Sequence, residues 1–148
     1  MIIRSIEPRE YDQTAFIYFA GWSDNNRFLH PRDGFEAFRT YFANVVVKES
    51  TVLVALEDGI IARFIGFAGN TIEHLYVHPL HYRRGIGSRL LDHVKTTVGG
   101  PLKVSCFIRN VNAVAFYRHH GFVIVGTKLV EWYDNEPAYE WEPMSVVG

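Results

Sequence analysis

Residues 82–88, Tyr-Arg-Arg-Gly-Ile-Gly-Ser, place two guanidiniums and two glycines at the opening of an amphipathic run, a combination suited to a phosphorylated ligand. A helix start has N–H groups with no intrahelical partner and a partial positive charge, so an anion seated there satisfies both. Gly85 and Gly87 let the backbone approach without an intervening Cβ, and Arg83 and Arg84 add countercharge. The apolar strand Leu75-Tyr76-Val77 precedes this turn and is broken from it by Pro79. Other nucleotide signatures fit less well. A dinucleotide fingerprint needs a third glycine where Leu90 stands and an acidic residue about 20 positions on, where Phe107 falls. A Gly-Lys-Ser/Thr loop is absent from the sequence.

A second block, residues 110–122, reads Asn-Val-Asn-Ala-Val-Ala-Phe-Tyr-Arg-His-His-Gly-Phe and follows the apolar run 102–108. With both blocks in this order, the chain resembles the GNAT superfamily of acetyl-CoA-dependent N-acetyltransferases. The family's (Gln/Arg)-x-x-Gly-x-(Gly/Ala) turn corresponds to Tyr82 through Gly87, with Tyr82 in the Gln/Arg place and Arg83 and Arg84 beside it as substitute countercharge. Its Asn-x-x-Ala-x-x-Phe-Tyr-x-x-x-Gly-Phe pattern is met by Asn110, Ala113, Phe116, Tyr117, Gly121 and Phe122. The resemblance covers residues 70–122.

It implies acetyl-CoA as cosubstrate and a fold whose fourth and fifth strands splay to admit the thioester arm. The backbone of Leu75, Tyr76 and Val77 would pair with the amide-rich pantetheine as a sheet edge pairs with a peptide. A bulge in that strand would aim an N–H at the thioester carbonyl. The pyrophosphate would sit over Arg83, Arg84, Gly85, Ile86, Gly87 and Ser88, with Asn110, Ala113, Phe116 and Tyr117 along the cofactor.

Two side chains are candidates for proton transfer. Tyr117 can donate to the departing thiolate as general acid; without the resemblance it would be read as a core tyrosine paired with Phe116. Glu73, on the fourth strand, can take the proton of the attacking amine as general base, or stand as a solvated edge carboxylate. His74 is expected on the opposite face from Glu73. His74 and His78 are four apart on a strand and do not share a ligating face, so no metal site is expected. His119 and His120 suit a helix's last turn, where positive charge is favoured, and need no catalytic role. Cys106 alternates with Val104 and Ile108 and reads as a small core residue.

For the acceptor, the polar loop expected over residues 22–30 offers Trp22 and Phe28, and the hairpin tip 132–136 offers Tyr133 with neighbouring acids.

The elements that must carry these residues follow from periodicity and punctuation. Ile2 to Ile6 reads as a strand. Glu10 to about Trp22 reads as a helix with Tyr11, Ala15, Phe16, Phe19 and Ala20 on its apolar stripe. A second helix holds Phe35, Phe38, Tyr41, Phe42 and Val45, with Asp33 as N-cap and Glu36 closing a capping box. Thr51–Leu56 and Ile60–Ala68 form a hairpin through Asp58-Gly59, and Thr71–Val77 is the fourth strand. Gly85–Val98 is a helix with Ile86, Leu90, Leu91, Val94 and Val98 inward, ended by Gly99-Gly100-Pro101. Leu102–Ile108, a helix Asn112–His120 and a final hairpin, Phe122–Tyr133 with Ala138–Glu142, complete the chain. The expectation is a single α/β domain over residues 1–148, with a mixed central sheet and about four helices.

The chain has 148 residues, 48% of them hydrophobic, enough for one proper core. Fifteen basic against sixteen acidic residues leave a net charge of −1, so nothing global draws it to nucleic acid or an anionic membrane. A single cysteine precludes an internal disulfide and fits a reducing compartment, and no run approaches the roughly 20 apolar residues of a membrane span. A cytoplasmic location is expected. The oligomeric state is left open, a homodimer included. Two functions remain: acetyl transfer from acetyl-CoA to a primary amine of a small molecule or peptide, or a non-catalytic acyl-CoA-binding module.

Overall fold

The computed structural model describes residues 1–26, 34–81, 86–130 and 136–143. Its strands are β1 (Ile2–Ser5), β2 (Thr51–Glu57), β3 (Ile60–Ala68), β4 (Thr71–Val77), β5 (Lys103–Phe107), β6 (Phe122–Val130) and β7 (Glu136–Pro143). Between β1 and β2 lie α1 (Tyr11–Asn25), then α2 (Phe35–Tyr41), a π-helical turn (Phe42–Val46) and α3 (Val47–Glu49) as one unbroken rod. α4 (Ile86–Val98) links β4 to β5, and α5 (Val111–His119) links β5 to β6. The described residues thus contain four longer helical rods over a mixed sheet, as expected.

The strands form one sheet in the order β1-β2-β3-β4-β5-β7-β6. Asp58 and Gly59 both take positive φ, 50° and 77°, which gives the tight β2–β3 turn the twist its strands require. Among the described strands only β4 and β5 run parallel, because α4 crosses between them.

Each face of the sheet has its own core. On one side Leu90, Leu91 and Val94 of α4 and Tyr117 of α5 pack on Leu53, Ile65, Phe67, Ile72 and Val104. On the other, Ala15 and Ile17 of α1 meet Phe42, Val46, Val54, Ile61 and Phe64. β1 is tied to the start of α1 by the fork of Arg4 on Glu10, with both N···O distances 2.8 Å, while the Glu7 N–H donates to the same carboxylate at 3.0 Å. The Arg4 contact holds the Glu10 carboxyl below its usual range.

Three local expectations are corrected. α1 runs past Trp22 to Asn25, so Trp22 lies on a helix and not in a loop; Ser23, Asp24 and Asn25 suggested a loop, but the helix continues through them until the Asn26 N–H donates to the Trp22 carbonyl. Phe16 is 46% exposed, and Ile17 takes the core position instead. Aromatics lie all round this helix, so composition alone could not choose the inward face. α2 is capped by Gly34 without a side-chain hydrogen bond, and Glu36 pairs with Arg39 at 3.2 Å where a capping box was expected. Asp33 lies outside the described residues.

Candidate active site

The parallel ladder between β4 and β5 has two rungs, Thr71 with Lys103 and Ile72 with Val104. Beyond them β4 continues to Val77 and β5 to Phe107 outside that ladder. On its far side β4 stays paired to β3, so its course is fixed while the strands part. This is the splay that the family resemblance implied.

A bulge sits where the strands separate. Gly66 of β3 faces His74 and the next residue, Phe67, faces Ile72, which leaves Glu73 as the extra residue on β4. The bulge reverses the alternation of the strand. Ile72 and Leu75, three apart, both pack into the core under α4 and α5, while His74 and Tyr76 turn toward α1. Glu73 itself is exposed. The His74 ring lies 5.1 Å from that of Tyr18, and burial pushes its pKa down to about 4, so it is neutral at neutral pH. The Tyr76 ring stands 5.2 Å from Tyr18 and 5.9 Å from Phe64. Val77 pairs with Arg63, whose Nη2 donates to the carbonyl of His81 at 3.1 Å in the turn leading toward α4.

Tyr117 is 6% exposed on the inner side of α5, its ring 5.3 Å from both Phe116 and Phe122. Burial and the neighbouring Cys106 thiol both push its phenol above the ordinary range, which keeps the proton on oxygen at working pH. Cys106 lies on β5 two residues past the last rung, so Tyr117, its neighbour on α5, lies over the stretch of β5 that has left β4. Cys106 is in no disulfide and lies half-buried against the core, as expected.

Asn110 is the N-cap of α5: its Oδ1 accepts from the Ala113 N–H at 3.1 Å. Capping therefore accounts for its amide oxygen and for the pairing of Asn110 with Ala113. Replacing it with alanine should lower stability by about 1 kcal/mol, while aspartate, an equally good cap, should cost much less. Denaturant unfolding of the two variants checks this.

Ser88 lies in the first turn of α4, with its Oγ 2.9 Å from His120 Nε2. Ile86 and Gly87 form the first residues of that helix. Trp22 is 6% exposed, its ring 5.8 Å from Phe38, so it lies in an aromatic layer with little surface to offer a substrate. Arg83, Arg84, Gly85, Phe28 and Tyr133 lie outside the described residues.

The structure brings Glu73, Leu75, Tyr76 and Val77 onto one strand at the split, with Tyr117 over the opposing strand. Sequence reasoning missed the partners of His120 and the buried Arg63; only the long polar side chain in an otherwise apolar strand could have drawn attention to Arg63. Among the described residues no helix is long and apolar enough to cross a membrane.

Known proteins agree with this architecture. The family described as Acetyltransferase (GNAT) domain matches residues 48–124, just over half of the chain. The chain belongs to the GNAT acetyltransferase superfamily. It is 32% identical over 104 residues to the L-methionine sulfoximine/L-methionine sulfone acetyltransferase of Salmonella typhimurium, the match covering 56% of this chain and 60% of that protein. The same figures, with 59% of the relative covered, hold for the L-amino acid N-acyltransferase MnaT of Escherichia coli. The match thus spans about three fifths of the length of these curated relatives. The PaiA N-acetyltransferase of Thermoplasma acidophilum, solved in complex with coenzyme A, superposes with a TM-score of 0.78 at 17% identity, over 96% of this chain and 97% of that one. At that identity the likeness is one of fold.

Proposed function

We propose that the chain transfers the acetyl group of acetyl-CoA directly to a primary amine, with the α-amine of an L-amino acid or a close analogue as the acceptor class. The observation that carries this is the parting of β4 and β5 after two rungs, with a bulge at Glu73 beside the split. A gap of that kind fits an extended, amide-rich chain lying along β4, and α4 begins where an attached pyrophosphate would need N–H donors. The acceptor class rests on the two relatives, whose names specify amino acids. β1 and β7, from opposite ends of the chain, join the same sheet, which supports reading residues 1–148 as one acetyltransferase domain.

In this reading each residue has a defined task. The edge of Leu75, Tyr76 and Val77 aligns the pantetheine, and a backbone N–H at the bulge faces the thioester oxygen as the amine nitrogen attacks the carbonyl carbon. Glu73, exposed at the bulge, takes the proton released by the ammonium, directly or through water. His74 is already neutral and enclosed by Tyr18, which makes it the less suitable base of the two adjacent groups. As the C–S bond breaks, Tyr117 gives its proton to the thiolate sulfur.

Acetyl-CoA consumption across a panel of L-amino acids, their sulfone and sulfoximine analogues, and peptide amines tests the proposal. Turnover is expected with free amino acids. Glu73→Gln should lower it most at acidic to neutral pH, where the amine most needs a base, and leave acetyl-CoA affinity unchanged. Binding without turnover of any amine would favour an acyl-CoA-binding module instead.

A further inference from the structure

His120 ends α5, and its Nε2 lies 2.9 Å from Ser88 Oγ in the first turn of α4, 32 residues earlier. The end of α5 does not need this bond: its C-cap is closed by the His120 backbone N–H on the Phe116 and Tyr117 carbonyls. His120 is also held from other sides. Its ring lies 4.6 Å from Phe116, and the His120 carbonyl accepts from Lys95 Nζ at 3.3 Å. The pair therefore joins the helix whose start is the proposed seat of the pyrophosphate to the helix that carries Tyr117.

A serine hydroxyl has one proton. If Ser88 gives it to His120, Oγ presents only lone pairs to an incoming phosphate; if His120 Nε2–H donates to Oγ, the O–H is left to point at the phosphate. An anion at the start of α4 selects the second arrangement. We propose that His120 is a positioning residue for the phosphate end of acetyl-CoA, donating through Nε2–H to Ser88 so that the Ser88 hydroxyl donates to the pyrophosphate. This deepens the acetyl-CoA reading and rests on it.

The arrangement makes binding depend on pH. In the unliganded protein burial, His119 and Lys95 hold His120 below the ordinary histidine range, with Asp92 alone opposing them. A pyrophosphate nearby favours the imidazolium, so the bound state binds the proton more tightly than the free state and affinity rises as pH falls.

Dephospho-CoA is the proper probe, because it keeps the pyrophosphate and lacks the 3′-phosphate, whose own titration near pH 6 would confuse the profile. Calorimetry should show wild-type affinity rising about 3- to 10-fold from pH 8 to pH 6, on the scale of one charge-assisted hydrogen bond. His120→Leu and, from the other helix, Ser88→Ala should bind more weakly and lose the slope. His120→Gln keeps a neutral donor, so it should retain most of the affinity at pH 8 and also lose the slope. In turnover the loss should fall on KM for acetyl-CoA with kcat preserved, which a general weakening of the fold would not produce. A wild-type profile that Ser88→Ala and His120→Gln leave intact overturns the proposal while the acetyl-CoA reading stands. A wild-type protein that binds neither dephospho-CoA nor acetyl-CoA overturns both.

Discussion

Tyr117→Phe is expected to slow acetyl transfer by about 10²-fold or more while leaving the fold and acetyl-CoA affinity in place, because a positioned acid contributes on that scale. Only the hydroxyl is removed. The ring keeps its edge contacts with Phe116 and Phe122, which account for its place in the core. The phenol is protonated throughout the working range, so it serves as a donor and not as a base. Single-turnover kinetics with the chemical step limiting is the deciding measurement, with thermal unfolding of both proteins as control. A stable variant that binds acetyl-CoA and turns over at the wild-type rate makes Tyr117 a packing residue, and the mechanism loses its acid.

Charge reversal of the arginine pair, Arg83→Glu with Arg84→Glu, should weaken acetyl-CoA binding by about 10²-fold or more. Hydrogen bonds to charged groups contribute roughly 1.5–3 kcal/mol each, so the loss of one or both lies in that range, and the introduced carboxylates repel the phosphates as well. The defect should shrink as salt rises, since exposed charges are screened. It should nearly vanish for pantetheine, which carries no phosphate. Calorimetry giving unchanged acetyl-CoA affinity in the double variant would remove the pyrophosphate from this turn.

Much of this is legible in the sequence. Leu90, Leu91, Val94 and Val98 recur at helical spacing, and all four pack under α4 as that spacing requires. Asp58-Gly59 announces its hairpin because few residue pairs accept positive φ twice in succession. Asn110 and Tyr117 stood out through a motif, which gave their order and spacing but not their surroundings. Packing then gave Asn110 a capping bond and enclosed the Tyr117 ring among phenylalanines.

What remained hidden shares one cause. A period of two along β4 would set Ile72 and Leu75 on opposite faces; they share a core only because one extra residue, Glu73, is accommodated against β3, and that register belongs to the pair of strands. The inward face of α1 departs from the expected stripe for a related reason: with aromatics all round the helix, only its neighbours could select Ile17 over Phe16. The bond between Ser88 and His120 has no local signal, since it exists only once α4 and α5 lie side by side. Local chemistry in the sequence therefore determined the elements, the order of the motifs and the residue types available for acetyl transfer. The tertiary structure decided where β4 and β5 part, which way His74 turns and which histidine meets the helix at the proposed phosphate seat, because each of these depends on contacts between segments far apart in the chain.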